Sequence, residues 1–162
     1  MEYSVFLQTN ELAWVEILLR LGAATLIGCA LGLNRELAGK PAGMRTHALV
    51  ALGTALVTLT GMVLAGQDGE FDSNSVSRVI QGIVAGIGFL GGGTILKSDS
   101  GEQISGLTTA ASLWVVACLG IACGVGLWAM ALVALGLALL VLTLGERLER
   151  VLHRLLGTRG HG

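Results

Sequence analysis

The stretch LTTAASLWVVACLGIACGVGLWAMALVALGLALLVLTL, from Leu107 to Leu144, holds about 38 residues without a charged side chain, and one bilayer crossing takes only ~20. It must therefore fold back on itself. The tetrad Cys123-Gly124-Val125-Gly126 sits at its centre, and glycine admits the positive backbone dihedrals of a sharp reversal. The stretch reads as two helices, about 107–124 and 126–144, joined as a tight hairpin. Working outward, three further apolar segments lie upstream at Leu12–Leu33, Thr46–Gly66 and Val79–Leu96, each bounded by polar breaks. The fold predicted is an all-α bundle of five transmembrane helices.

Composition agrees. The 162 residues carry 10 Lys+Arg and 11 Asp+Glu, a net charge of -1, and only 13% charged side chains against 53% apolar ones. Mean hydropathy is +0.77. So few charges cannot make the polar shell of a soluble domain. The 25 glycines have no three-residue period and sit among aliphatic residues, which excludes collagen and disordered low-complexity chains. A near-neutral chain lacks the basic face that displaces counterions from nucleic acid. Five spans leave no room for a soluble catalytic domain. The three cysteines, Cys29, Cys118 and Cys123, all lie in apolar runs without a CxxC pair and read as packing residues. Met1–Ala13 has no Lys or Arg, so it lacks a signal peptide's basic n-region and the first apolar run is expected to stay as a span.

Residues 1–145 thus form a transmembrane domain and 146–162 a tail. Arg35, Lys40 and Arg45 follow the first span, Lys97 the third, and Arg147, Arg150, Arg154 and Arg159 the fifth. Five alternating spans bring all of them to one side, which the positive-inside rule makes cytoplasmic, with the N-terminus outside. In the tail, Leu148, Val151, Leu152, Leu155 and Leu156 recur at helical spacing opposite the arginines. That predicts a short amphipathic C-terminal helix along anionic lipid; a simple overshoot of the fifth helix is the competing reading.

Several constellations bear on function. The third span is densest in glycine: Gly82, Gly86, Gly88, Gly91, Gly92 and Gly93. Gly86-Ile-Gly-Phe-Leu-Gly91 spells GxGxxG, but the dinucleotide pattern needs a strand before it and an acidic residue about 20 positions on. Gly93-Thr-Ile-Leu-Lys97-Ser98 lacks the Gly-Lys-Ser junction of a phosphate-binding P-loop. Two readings stand for these glycines. They make small-xxx-small packing, as do Gly28/Gly32 and Gly120/Gly124, within the chain or in a dimer. Or Gly91–Gly93 breaks the helix and turns carbonyls toward an ion or water-filled cavity.

Glu16 and Arg20 lie in the first span at i,i+4 spacing, which places them on one face. A lone intramembrane charge costs about 2.5–3.5 kcal/mol on insertion scales, so they read as a satisfied pair or as a relay. Glu36 ends the first helix, where the macrodipole favours cations, and is expected to pair with Arg35, Lys40 or Arg45. His47 has no second histidine nearby to complete a metal site. Thr108, Thr109 and Ser112 can hydrogen-bond inside the bundle. Asp68, Glu70, Asp72 and Asn74 imitate the start of a calcium loop, but Ser73 and Val79 stand where it needs Gly and Glu. That leaves a solvated acidic loop or a loose hydrated Mg²⁺ or Ca²⁺ contact. No nucleophile-base set is present, so the chain is expected to be no enzyme, with no cofactor and no metal site.

Three blocks occur together: Asn34-Arg-Glu…Lys40-Pro-Ala-Gly-Met-Arg-Thr-His47, Arg78…Gly86-Ile-Gly-Phe-Leu-Gly-Gly-Gly-Thr-Ile-Leu96, and Ser105-Gly-Leu-Thr-Thr-Ala-Ala-Ser-Leu-Trp114. Their order and spacing resemble the MgtC/SapB family of bacterial inner-membrane proteins, from about Glu11 to Glu146. The resemblance implies a multi-pass protein of the bacterial inner membrane that serves adaptation to low magnesium or acid stress. Together with the glycine-rich packing surface it points to a non-enzymatic regulator or interaction protein that acts through helix-helix contacts, on a membrane ATPase or another membrane protein, and to a homo-oligomer (dimer), with a small Mg²⁺ or proton transporter or channel as the alternative. The family's shared positions correspond to Arg35, Glu36, Arg45, Thr46, Arg78, Gly86, Gly88, Gly91, Gly106, Thr108, Thr109 and Trp114. Virulence-type members carry an ACT-like domain after the fifth span; the sequence given ends at Gly162, so functions needing that domain are not carried over. The candidate functional polar cluster is Glu36, Arg35, Arg45, Arg78, Arg20 and Glu16.

Overall fold

The structure, a computed structural model, describes residues 10–66, 71–97 and 104–155. Five helices overlie the five apolar segments: α1 (Asn10–Leu37), α2 (Met44–Ala65), α3 (Ser73–Thr94), α4 (Leu107–Val125) and α5 (Trp128–Leu155). All five are long and apolar enough to cross a membrane. Between α3 and α4, β1 (Leu96–Lys97) and β2 (Ile104–Ser105) form a two-residue antiparallel ladder, Leu96 opposite Ser105 and Lys97 opposite Ile104.

The exterior shows what solvent the fold is built for. Leu18, Leu26, Phe89, Leu132 and Val141 point outward, while Arg35, His47, Thr58, Thr109 and Ser112 are buried. Apolar outside and polar inside is the arrangement of a bilayer protein, since lipid solvates leucine and leaves a polar group unsatisfied. Trp14 and Trp128 both stand near helix starts at one end of the bundle, the level at which amphipathic aromatic rings settle.

The core is made by α1, α2 and α4. Ala24, Ile27 and Leu31 of α1 meet Ala51 and Ala55 of α2 and Val116, Leu119 and Cys123 of α4. Because lipid tails are as apolar as leucine, close backbone approach holds such helices together. A Cβ at Gly28 would stand 2.6 Å from the His47 carbonyl oxygen, and one at Gly32 2.6 Å from Met44 Cα. A Cβ at Gly124 would stand 2.7 Å from the Ala55 oxygen, and Gly120 closes on Ala51 and Thr54 in the same seam. The hydroxyls along that seam are satisfied in place: Thr54 donates to the Val50 carbonyl (3.0 Å) and Thr58 to that of Thr54 (2.7 Å).

Helix α3 lies at the periphery, with only Ile87 and Gly91 buried. It runs through Gly91, Gly92 and Gly93 to its end at Thr94, so of the two readings the broken helix is not the one found: the three glycines form the last turn at a propensity cost of only ~1 kcal/mol each relative to alanine. Nor do most of its glycines pack within the chain. Gly91 touches Ala110 Cβ at 3.5 Å, whereas Gly82, Gly86, Gly88, Gly92 and Gly93 meet nothing within 4 Å. Those five lie on the side of α3 turned away from Ile87 and Gly91.

Three local devices set the helix ends. Asp72 caps α3, its carboxylate accepting from the Asn74 amide (2.9 Å) and the Ser75 hydroxyl (2.6 Å); Asp68 and Glu70 of the acidic loop lie outside the described residues. Gly126, at φ +90°, ends α4 with its amide on the Ala122 and Cys123 carbonyls and makes the expected hairpin with α5. The amphipathic tail is helical as its spacing indicates, but through Leu155 it is the continuation of α5 rather than a separate short helix. A lone Gly145 does not terminate a helix whose apolar positions continue in phase on both sides.

Two outcomes follow. Gly124→Leu should force α2 and α4 apart and lower the stability of the detergent-solubilised protein by about 3 kcal/mol, whereas Gly86→Leu should melt at the wild-type temperature; circular dichroism melts compare them. Hydrogen bonds from Ser75 and Asn74 hold the Asp72 carboxyl below the usual aspartate range. Its stabilising effect is then complete above the ordinary aspartate pKa and fades as pH falls through the lowered one. The melting difference between wild type and Asp72→Ala should accordingly be present at neutral pH and vanish in acid.

Candidate functional site

The six residues of the expected polar cluster do not form one site. They divide between opposite ends of the bundle. One end holds the C-terminus of α1 and the N-termini of α2 and α4, with Arg35, Glu36 and Arg45. The other holds the N-termini of α1 and α3 and the C-terminus of α4, with Glu16, Arg20 and Arg78. Charge type alone had grouped them; an antiparallel bundle about 30 Å long separates them.

At the second end, the satisfied-pair reading of Glu16 and Arg20 describes the geometry. Arg20 Nε donates to Glu16 Oε1 at 2.6 Å, and Nη1 donates to the Gly124 carbonyl oxygen at 2.7 Å. Gly124 is in the last turn of α4, whose carbonyls lack partners within the helix and carry the negative end of the macrodipole. The guanidinium therefore caps α4 and ties α1 to the turn before α5, with Gly126 close against it. Arg78 is exposed in the first turns of α3.

At the first end the polar groups are buried and linked. Arg35, 2% exposed, donates from Nη2 to Thr109 Oγ1 at 2.5 Å. His47 is fully buried, its Nδ1 3.1 Å from the Gly43 carbonyl oxygen and its Nε2 3.1 Å from Ser112 Oγ. The Ser112 hydroxyl also donates to the Thr109 carbonyl at 2.8 Å. A carbonyl only accepts, so the His47 proton sits on Nδ1. The single Ser112 proton then has two acceptors within reach, Nε2 and the Thr109 oxygen. The chain Gly43–His47–Ser112–Thr109–Arg35 thus spans α2, α4 and α1 without a carboxylate.

Glu36 departs from expectation. Its Oε2 accepts from the Met44 amide at 2.9 Å, so the carboxylate's partner is the N-terminus of α2 rather than a cation. The cap residue Gly43 has no side chain to do this, and an anion is favoured at a helix N-terminus. The turn between α1 and α2 that brings Glu36 there holds Ala42 at φ +57°, a conformation that costs a non-glycine residue about 1 kcal/mol. Arg45 and Thr46 are exposed at the start of α2. Among the other expected positions, Gly106 precedes α4 at φ +90°, Thr108 lies exposed in its first turn, and Trp114 points outward. Burial of His47 carried no signal in the sequence, because it directly follows the polar Arg45 and Thr46 at the start of α2, whereas Ser112 hydrogen-bonds inside the bundle as expected.

No group of three or more His, Cys, Asp or Glu arranged to hold a metal is found among the described residues. The capping role of Arg20 has a consequence for stability. Arg20→Ala should cost about 2 kcal/mol, more than Glu16→Ala, because it also orphans the Gly124 carbonyl; melting of the three purified proteins in one detergent gives the ranking.

Comparison with known proteins gives several relatives. SrpB of Synechococcus elongatus is 42% identical over 153 residues, covering 91% of this chain and 83% of that protein. SapB of Bacillus subtilis is 39% identical over 122 residues, covering 74% of this chain and 52% of its own length. YhiD of Escherichia coli, a proposed magnesium transporter, is 35% identical over 135 residues, covering 82% and 62%. The chain thus spans between half and two thirds of the last two. No solved structure matches it. The sequence model of the MgtC family matches residues 21–151, from within α1 to within α5, and the chain is a multi-pass membrane protein that belongs to the MgtC family.

Proposed function

We propose that the protein is a non-enzymatic regulator of magnesium homeostasis that works by packing its third helix against another helix in the bacterial inner membrane, N-terminus outside and C-terminus in the cytoplasm. One observation carries this reading. Within the chain, glycine pairs four apart are closed by a neighbouring helix at Gly28/Gly32 and at Gly120/Gly124, yet Gly82, Gly86, Gly88, Gly92 and Gly93 of α3 stand open. Gly82, Gly86 and Gly93 fall in one stripe of α3 and Gly88 and Gly92 in another, on either side of Phe89; such a stripe lets a second backbone approach closely, which is what drives association in lipid. The exposed Phe89 beside it offers a large side chain to a partner's groove. A second copy of the chain or a membrane ATPase are the partners to test. The link to magnesium draws on the family and on the activity proposed for YhiD, and the distribution of basic residues supports the orientation.

The alternative is a small Mg²⁺ or proton transporter. The described interior gives it less support: α3 is unbroken, the α2–α4 seam is closed by glycine backbone, and the polar chain at the Arg35 end presents a guanidinium rather than carboxylates to a cation.

The readings separate in one comparison. Gly86→Leu, made together with Gly82→Leu, should keep the wild-type melting temperature yet lose both support of growth at low magnesium and, in a Phe89→Cys background, thiol cross-linking through that position in native membranes. Proteoliposomes of the wild-type protein should meanwhile show no Mg²⁺ flux. A double variant that cross-links and supports growth like wild type would sink the helix-contact reading, and flux in liposomes would favour the transporter.

A further inference from the structure

Helix α3 packs on α4 through one face only, Gly91 against Ala110 and Ile87 in a cluster with Leu113 and Ala117. The opposite face carries a second pattern. Arg78, Gly82, Ala85, Phe89 and Gly92 follow one another in alternating steps of four and three residues, the repeat of a helix that lies along another helix. All five are exposed. Phe89 is 84% exposed, and a Cβ at Gly82, Gly88 or Gly92 would meet nothing within 4 Å.

This face complements itself. In a parallel pair with that repeat, a side chain enters a hole made by four residues of the facing helix. They stand four before, one before, level with and three after its own position. For Phe89 they are Ala85, Gly88, Phe89 and Gly92 of the other helix, and three of the four are small. Knob and hollow therefore share one face and one depth. A two-fold axis along the membrane normal requires that arrangement, because both subunits then offer the same surface. A different protein would call for a knob or a hollow, with no reason for α3 to carry both.

A polar group on the same face points to an occupant other than lipid. Gln81 is the ninth residue of α3, about 12 Å along its axis. It is exposed, and among the described residues it has no hydrogen-bond partner. An unpaired carboxamide at that depth in hydrocarbon is unfavourable, and a neighbouring helix relieves it. Gln81 stands one position before Gly82, whose missing side chain lets it reach across the seam. There Arg78 of a second copy supplies donors for its carboxamide oxygen.

We infer that α3 pairs in parallel with α3 of a second copy of this chain, the Phe89 ring of each seated in the hollow of Ala85, Gly88 and Gly92 of the other. The inference rests on the helix-contact reading above and names its partner.

Oxidative cross-linking in native membranes tests the pairing, with the full chain in a Cys29→Ala, Cys118→Ala, Cys123→Ala background. Ala85→Cys and Phe89→Cys should give disulfide-linked dimers. Val84→Cys and Leu90→Cys, exposed on the flanks of the same helix, should not. Single-molecule photobleaching of the purified chain in dilute liposomes then reads the dimer directly. Ala85→Phe fills the hollow without touching the chain's own packing; it should weaken dimerisation about tenfold and melt like wild type. Gln81→Leu should weaken it about threefold. The inference is overturned if the wild-type chain is monomeric, if Val84→Cys and Leu90→Cys cross-link as readily as Ala85→Cys and Phe89→Cys, or if Ala85→Phe dimerises like wild type. Growth at low magnesium separates it from the reading on which it rests. An Ala85→Phe chain that is monomeric yet supports growth leaves the pairing in place and removes the regulator. One that dimerises fully yet fails to support growth overturns the pairing and leaves another membrane protein as the partner of α3.

Discussion

Everything in this molecule depends on how closely α2 and α4 approach. In lipid there is no hydrophobic reward for bringing two apolar helices together, so their contact must come from dispersion at short range. Gly120 and Gly124 remove the Cβ atoms that would hold the axes apart, and Ala51 and Ala55 opposite them keep the facing surface low. Gly28 and Gly32 do the same for α1 against α2. With three helices locked at that distance, Arg35 reaches Thr109, His47 reaches Ser112 and Arg20 reaches the Gly124 carbonyl. Each of those polar contacts bridges two helices and would be lost if a seam widened.

The polar groups solve a second problem created by the first. Helix ends in or near a bilayer leave backbone amides and carbonyls with few partners. The chain answers with side chains: Glu36 of α1 on the α2 N-terminus, Arg20 of α1 on the α4 C-terminus, and Asp72 on the helix it precedes, α3. The first turn of α4 begins at Gly106, which has no side chain to cap it.

How much was legible in the sequence varied with the range of the interaction. The five helices followed from length and apolar runs, because every backbone group in lipid must bond within its own segment. The Gly126 reversal was readable too, since a helix cannot cross twice. Glu36 misled, because local dipole logic called for a cation while a three-dimensional turn delivered an amide. The six charged candidates looked like one cluster because nothing in a linear string measures the distance between the two ends of a bundle.

The glycines show the division most plainly. Gly28/Gly32, Gly82/Gly86, Gly88/Gly92 and Gly120/Gly124 carry the same spacing, so the sequence alone determined that each could form a close helix contact, along with the number of spans and the family to which the chain belongs. Which pairs are closed within the chain and which stay open was decided only by tertiary structure. A helical spacing defines a face, but whether that face meets another depends on crossings and rotations set jointly by all five helices.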